Sequence, residues 1–121
     1  MSKRVLAVDD SKTMRDMVSF TLKREGFEVV EADDGVAGVE ASANGLFDLV
    51  ISDVNMPRMD GLTMVSKLRE NPKFRSTPIL ILTTEADQTK KAAGKAAGAT
   101  GWIVKPFDPD QLIDVVRRVC R

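Results

Sequence analysis

Val5-Leu6-Ala7-Val8-Asp9-Asp10 is an apolar run that stops abruptly at two acids. It shows no polar alternation, which is the pattern of a strand covered on both faces, as in a parallel sheet. The same form returns at Leu49-Val50-Ile51-Ser52-Asp53 and at Ile79-Leu80-Ile81-Leu82-Thr83-Thr84. Two further runs are Phe27-Glu28-Val29-Val30 and Trp102-Ile103-Val104, the latter followed by Lys105. A charge interrupts the first of these, which places it nearer a sheet edge.

Segments of helical period separate the runs. Met14, Met17, Val18, Thr21 and Leu22 follow i, i+3, i+4 spacing, and Gly26 stands where a helix C′ residue belongs. A second helix is expected from Val36 to Asn44, before Gly45. Leu62, Val65 and Leu68 mark a third, stopped by Asn71-Pro72. The fourth, from Ala86 to Ala97, is rich in Ala and Lys, carries Gly94 inside and lacks a large apolar stripe, so weak anchoring is expected. Leu112, Val115, Val116 and Val119 share one side of the last, which opens at Asp108 or Pro109. The order is (βα)5, and it predicts an α/β fold with a doubly wound, parallel five-stranded sheet.

Composition narrows the function. A chain of 121 residues is expected to form a single domain over residues 1–121, with no output domain after it. Eighteen basic and eighteen acidic residues cancel, which is not the balance of a nucleic-acid binder held by phosphate neutralisation. Cys120 is the only cysteine, so there is no internal disulfide framework, and a reducing compartment fits. No long apolar run or signal-peptide pattern is present, so a cytoplasmic protein without membrane insertion is expected. The absence of histidine removes histidine bases, catalytic triads and His-ligated zinc together.

The polar residues that end the strands carry the chemistry. In open parallel sheets, functional groups gather just beyond the strands' carboxyl ends. Asp9, Asp10, Asp53, Thr83 and Lys105 are therefore expected at one edge. Two carboxylates about 4 Å apart repel by about 4 kcal/mol at an effective dielectric near 20. Three such groups with one ammonium leave a net negative charge that a divalent cation would cancel. Oxygen-only donors favour Mg2+ or Mn2+ over zinc. The site then reads as a phosphoryl-accepting carboxylate, with Asp53 the nucleophile and Lys105 and Thr83 serving the phosphoryl oxygens. No G-x-G-x-x-G is present, and Gly94-Lys95 lacks the rest of a P-loop. Asn55 stands where an aspartate-nucleophile phosphatase would want a second Asp.

Val8-Asp9-Asp10-Ser11, the stretch from Ile51-Ser52-Asp53-Val54-Asn55-Met56-Pro57 to Asp60-Gly61, Thr83, and Val104-Lys105-Pro106-Phe107 together resemble bacterial two-component receiver domains. The resemblance spans the whole chain. It implies the flavodoxin-like strand order 2-1-3-4-5 and phosphorylation of Asp53 by a histidine kinase. It also implies Mg2+ on Asp10, Asp53 and the backbone carbonyl of Asn55, with Asp9 acting largely through water, and a cis bond before Pro106. Thr13-Met14-Arg15, Asn55 and Glu85 are similar to the stand-alone chemotaxis regulators of that family. This implies a chemotaxis-type kinase, a monomer, and a flagellar motor switch protein as the target of the face formed by the fourth helix, fifth strand and fifth helix. A phosphate sink or phosphorelay intermediate, and a phosphohydrolase using Asp53, are the alternatives. Beyond its own phosphorylation and dephosphorylation, no enzyme activity is expected.

Asn55 and Glu85 are expected at the rim, where they would shape water's approach to an acyl phosphate. Glu85 also reads as a solvated acid at the start of the fourth helix. In the family, an aromatic on the fifth strand, usually Tyr or Phe, turns inward when the hydroxyl corresponding to Thr83 moves toward the phosphoryl group. Trp102 holds that position here. Read as a plain strand residue, it would lie half-buried toward the fourth and fifth helices. Glu31, Asp33 and Asp34 are expected as surface acids, Met56 and Met59 as loop packing, and Cys120 as an apolar filler.

Overall fold

The computed structural model describes residues 3–120. The strands are β1 (Arg4–Val8), β2 (Glu28–Ala32), β3 (Leu49–Ser52), β4 (Ile79–Thr83) and β5 (Gly101–Val104). The helices are α1 (Lys12–Arg24), α2 (Gly35–Ser42), α3 (Gly61–Glu70), α4 (Gln88–Ala97) and α5 (Pro109–Val119), with a 3-10 turn at Pro72–Phe74. All pairings are parallel and the order is β2-β1-β3-β4-β5, the predicted fold. The three near-continuous apolar runs form the centre, and the strand broken by Glu28 lies at an edge.

The period of two divides the sheet's side chains between two cores. Val5, Ala7, Leu49, Ile51, Leu80 and Leu82 face the side that α1 and α5 cover with Val18, Leu22, Leu112 and Val116. Leu6, Val8, Val50, Ile79 and Ile81 face Met64, Val65 and Leu68 of α3. Truncating one of these fully buried leucines to alanine typically costs about 2–5 kcal/mol. Met56 and Met59 pack on the second core and Cys120 on the first, as expected.

Every helix starts beside the carboxyl edge of the sheet, with an oxygen-bearing cap. Ser11, Asp34, Asp60, Asp87 and Asp108 accept hydrogen bonds from first-turn amides. Gly26 follows α1 with φ +92, the left-handed geometry expected of a C′ glycine.

Three helical details differ from the sequence reading. Met17, placed on the apolar stripe of α1, is 44% exposed, whereas Ser19, two residues further on, is buried beside Val18. The fourth helix begins at Gln88 rather than Ala86, because Asp87 caps it through Thr89 and Lys90. Gly94 is also more than a weakness. It is the one buried residue of α4, and a Cβ there would stand 2.7 Å from the Trp102 ring. The helix is seated by one ring against one bare backbone position, not by a stripe.

Gly61 makes the tightest approach that matters to the sheet edge. A Cβ there would lie 1.9 Å from the carbonyl oxygen of Asp53, while its own N–H donates to Val54 O at 2.8 Å. Backbone on both sides cannot yield as a flexible side chain can. We predict that Gly61→Ala destabilises the protein by about 3 kcal/mol, at the upper end of overpacking costs, measured by urea unfolding. A loss below about 1 kcal/mol would show that this backbone relaxes freely.

Candidate functional site

The sheet ladder runs one residue past several strands, and those residues are the polar ones. Asp9 N donates to Ala32 O (3.1 Å), Asp53 N to Val8 O (3.0 Å) and Lys105 N to Thr83 O (2.7 Å). Each side chain therefore leaves the sheet from a backbone fixed by its neighbour. The hydroxyl of Ser52, itself fully buried, donates to Asp53 O at 2.7 Å and holds the turn after β3.

Carboxylate oxygens of Asp9, Asp10 and Asp53 lie within 4.8 Å of one another. The Lys105 ammonium donates to Asp9 Oδ2 at 2.6 Å and to Asp53 Oδ2 at 3.0 Å. Its side chain is 7% exposed, against 8% for Asp9 and 12% for Asp53. The lysine reaches the site from the residue after β5, next to the cis bond between Lys105 and Pro106. Burial alone would lower the Lys105 pKa. The hydrogen bonds and charges of Asp9 and Asp53 outweigh it, and the net shift is upward. Asp9 also accepts from Ser11 N at 2.9 Å, and Asp53 Oδ1 from Val54 N at 2.6 Å.

The donor set fits a hard divalent cation. Asp10 is exposed and, among the described residues, pairs with no cation. One ammonium faces three carboxylates, so negative charge remains to be balanced. The Asn55 carbonyl accepts no hydrogen bond among the described residues and is free to serve as a neutral ligand.

Glu85 joins several of the remaining residues. Its N–H donates to the Thr83 hydroxyl at 3.3 Å, its carbonyl accepts from the Trp102 indole at 2.9 Å, and its carboxylate accepts from the Asn55 amide at 3.4 Å. Thr83 is fully buried at the end of β4. Two sequence readings change here. Glu85 is not at a helix start but in the loop before α4, half-buried. Trp102 lies only on the α4 side: it packs with the α3 core and under Gly94, while Ile103 faces α5. Alternation along an edge strand sends neighbouring side chains to opposite faces, so no single residue could face both helices.

Two further groups make contacts that the sequence reading did not place. Arg15 donates to the Asp9 carbonyl at 2.6 Å and pairs with Glu31 at 3.5 Å. Asp34 is not a surface acid: it is buried, caps α2, and receives a two-pronged ion pair from Arg58 at 2.6 and 3.1 Å. The Arg58 hydrogen bond and the Ala37 amide hold its carboxyl below the usual range. The cap spacing before Gly35-Val36 could have marked Asp34; nothing local marks Arg58 as its partner. No helix among the described residues is long and apolar enough to cross a membrane.

Comparison with known proteins gives a consistent answer. The family model for the response regulator receiver domain matches residues 5–117. Chemotaxis protein CheY1 of Helicobacter pylori is 42% identical over 111 residues, covering 90% of each chain. The structure of chemotaxis protein CheY4 of Vibrio cholerae superposes with a TM-score of 0.94 at 49% identity, covering 98% of this chain and 99% of that one. The transcriptional regulatory protein SrrA of Staphylococcus aureus is 35% identical over 121 residues, all of this chain but 49% of its own length.

The lysine's environment predicts a pH dependence. Its folded pKa stands above the ordinary 10.5, so its stabilisation is complete below pH 10.5 and is lost as pH rises through the higher folded value. Urea-unfolding stability should therefore fall more steeply in alkali for the parent than for Lys105→Met. Parallel curves for the two proteins would contradict the assignment.

Proposed function

The chain belongs to the response regulator receiver family, and we propose that it is a signalling switch phosphorylated on Asp53 by a histidine kinase. The observation that carries this reading is the Lys105 ammonium shared between Asp9 and Asp53, beside a third carboxylate that pairs with no cation among the described residues.

The chemistry follows from these groups. A carboxylate nucleophile such as Asp53 needs no general base to attack phosphorus. Its oxygen forms a bond to phosphorus as the bond from phosphorus to the donor's imidazole nitrogen breaks, and the electron pair of that bond leaves with the nitrogen. Asp10, Asp53 and the Asn55 carbonyl would hold Mg2+, with Asp9 acting through water. Bound Mg2+ would supply positive charge opposite the phosphoryl oxygens. Lys105 is within reach of the same oxygens and can exchange one carboxylate partner for a phosphoryl one. Asn55 and Glu85 stand at the rim, where polar side chains leave a path for water and so favour a short-lived acyl phosphate.

Glu85 gives the switch a physical route. Thr83, drawn to a phosphoryl oxygen as a donor, moves the amide it now accepts from. The same residue's carbonyl holds the Trp102 indole, so the loop before α4 and the ring beneath α4 move as one. The α4 side chains are largely exposed, which suits a surface that must rearrange. The α4–β5–α5 face is then the output surface. The chemotaxis names of the relatives favour a flagellar motor switch protein as its target, in the cytoplasm.

Radiolabelled acetyl phosphate with Mg2+ should label the parent and leave Asp53→Asn, folded by circular dichroism, unlabelled. Equal labelling of the two would refute the acceptor. The emission of Trp102, the only tryptophan, should change when Mg2+ and beryllofluoride are added to the parent and stay constant in Asp53→Asn.

A further inference from the structure

The loop between β3 and α3 carries Asn55, and it is tied down on the side away from Glu85. The tie has two strands. Met59 O accepts from Gly35 N at 3.1 Å, across a contact so close that a Cβ on Gly35 would stand 2.5 Å from that oxygen. Beside it, Arg58 Nε donates to Asp34 Oδ2 at 2.6 Å and a terminal guanidinium nitrogen to Asp34 Oδ1 at 3.1 Å. Asp34 is 6% exposed in this pair and Arg58 57% exposed. A planar fork on a buried carboxylate fixes direction as well as distance.

Arg58 adopts φ +65, the one non-glycine residue among those described with a left-handed backbone. Helix α2 does not need this: Asp34 already caps it through Ala37 N at 2.8 Å. The pair is therefore spent on the loop. It fixes the chain three residues beyond Asn55, whose carbonyl accepts no hydrogen bond among the described residues.

We infer that Arg58 is a positioning residue: its clamp on Asp34 sets the Asn55 carbonyl toward the acidic cluster and so determines the site's affinity for Mg2+. This rests on the magnesium-dependent reading above. Groups that orient a metal's ligands commonly alter affinity by about 10- to 100-fold when removed.

Calorimetric titration of the whole chain with MgCl2 tests this. Arg58→Asn tolerates the left-handed backbone but lacks the fork. Asp34→Asn keeps the helix cap but loses the charge. Each should weaken Mg2+ binding about 10-fold. The double variant should be no weaker than either single one, because both remove one clamp. Arg58→Lys, with charge but no fork, should recover part of the loss. The inference is overturned if the variants bind Mg2+ as the parent does, even with lowered urea stability, or if the two losses multiply in the double variant. A parent that binds no Mg2+ would instead overturn the functional reading itself.

Discussion

A single ammonium between two carboxylates organises the molecule. Lys105 reaches Asp9 and Asp53 from the end of a different strand from either, so the contact exists only if three strands end at one level. The parallel sheet supplies that level, and the ladder bonds at Asp9, Asp53 and Lys105 extend it to the functional residues. Without Lys105, the two acids would repel by several kcal/mol in so shielded a place, on the order of 4 kcal/mol at an effective dielectric near 20. With it, they are held together but not neutralised, because Asp10 adds a third negative charge. That residual charge makes the site receptive to a cation and, through the cation, to a phosphoryl group.

Around this centre the chain has built two tethers of opposite kind. On one side, Arg58 and Gly35 grip the loop after Asp53 with a fork and a backbone contact. On the other, Glu85 touches Thr83, Asn55 and Trp102 through single bonds of 2.9 to 3.4 Å. The first tether is suited to holding a ligand geometry constant. The second is suited to exchange, since each bond is individually weak and each partner has an alternative. Trp102 adds steric coupling, because its ring occupies the space that Gly94 leaves in α4.

Much of this was legible in the sequence, and the illegible parts have a common cause. β1, β3 and β4 announce themselves because central strands are apolar on both faces. Asp9, Asp53 and Thr83 follow from them, and Lys105 from the run at β5, because each ends its run. Strand order does not follow: alternation fixes parallel pairing but not neighbours, and order 2-1-3-4-5 came from the resemblance. The side of the sheet that Trp102 faces, the seat of its ring on Gly94, and the pairing of Arg58 with Asp34 depend on how separate elements pack against one another. Periodicity and capping patterns are local and cannot see them. Met17 shows the same limit in reverse: it fits the helical stripe, but α1 turns Val18 and Ser19 inward and leaves Met17 exposed.

The most direct measurement is an amide chemical-shift titration with MgCl2 by NMR. The account predicts one saturable transition, with the largest shifts at residues 9–11, 53–56, 83–85 and 105. Shifts that are diffuse, unsaturable or centred elsewhere on the surface would contradict it.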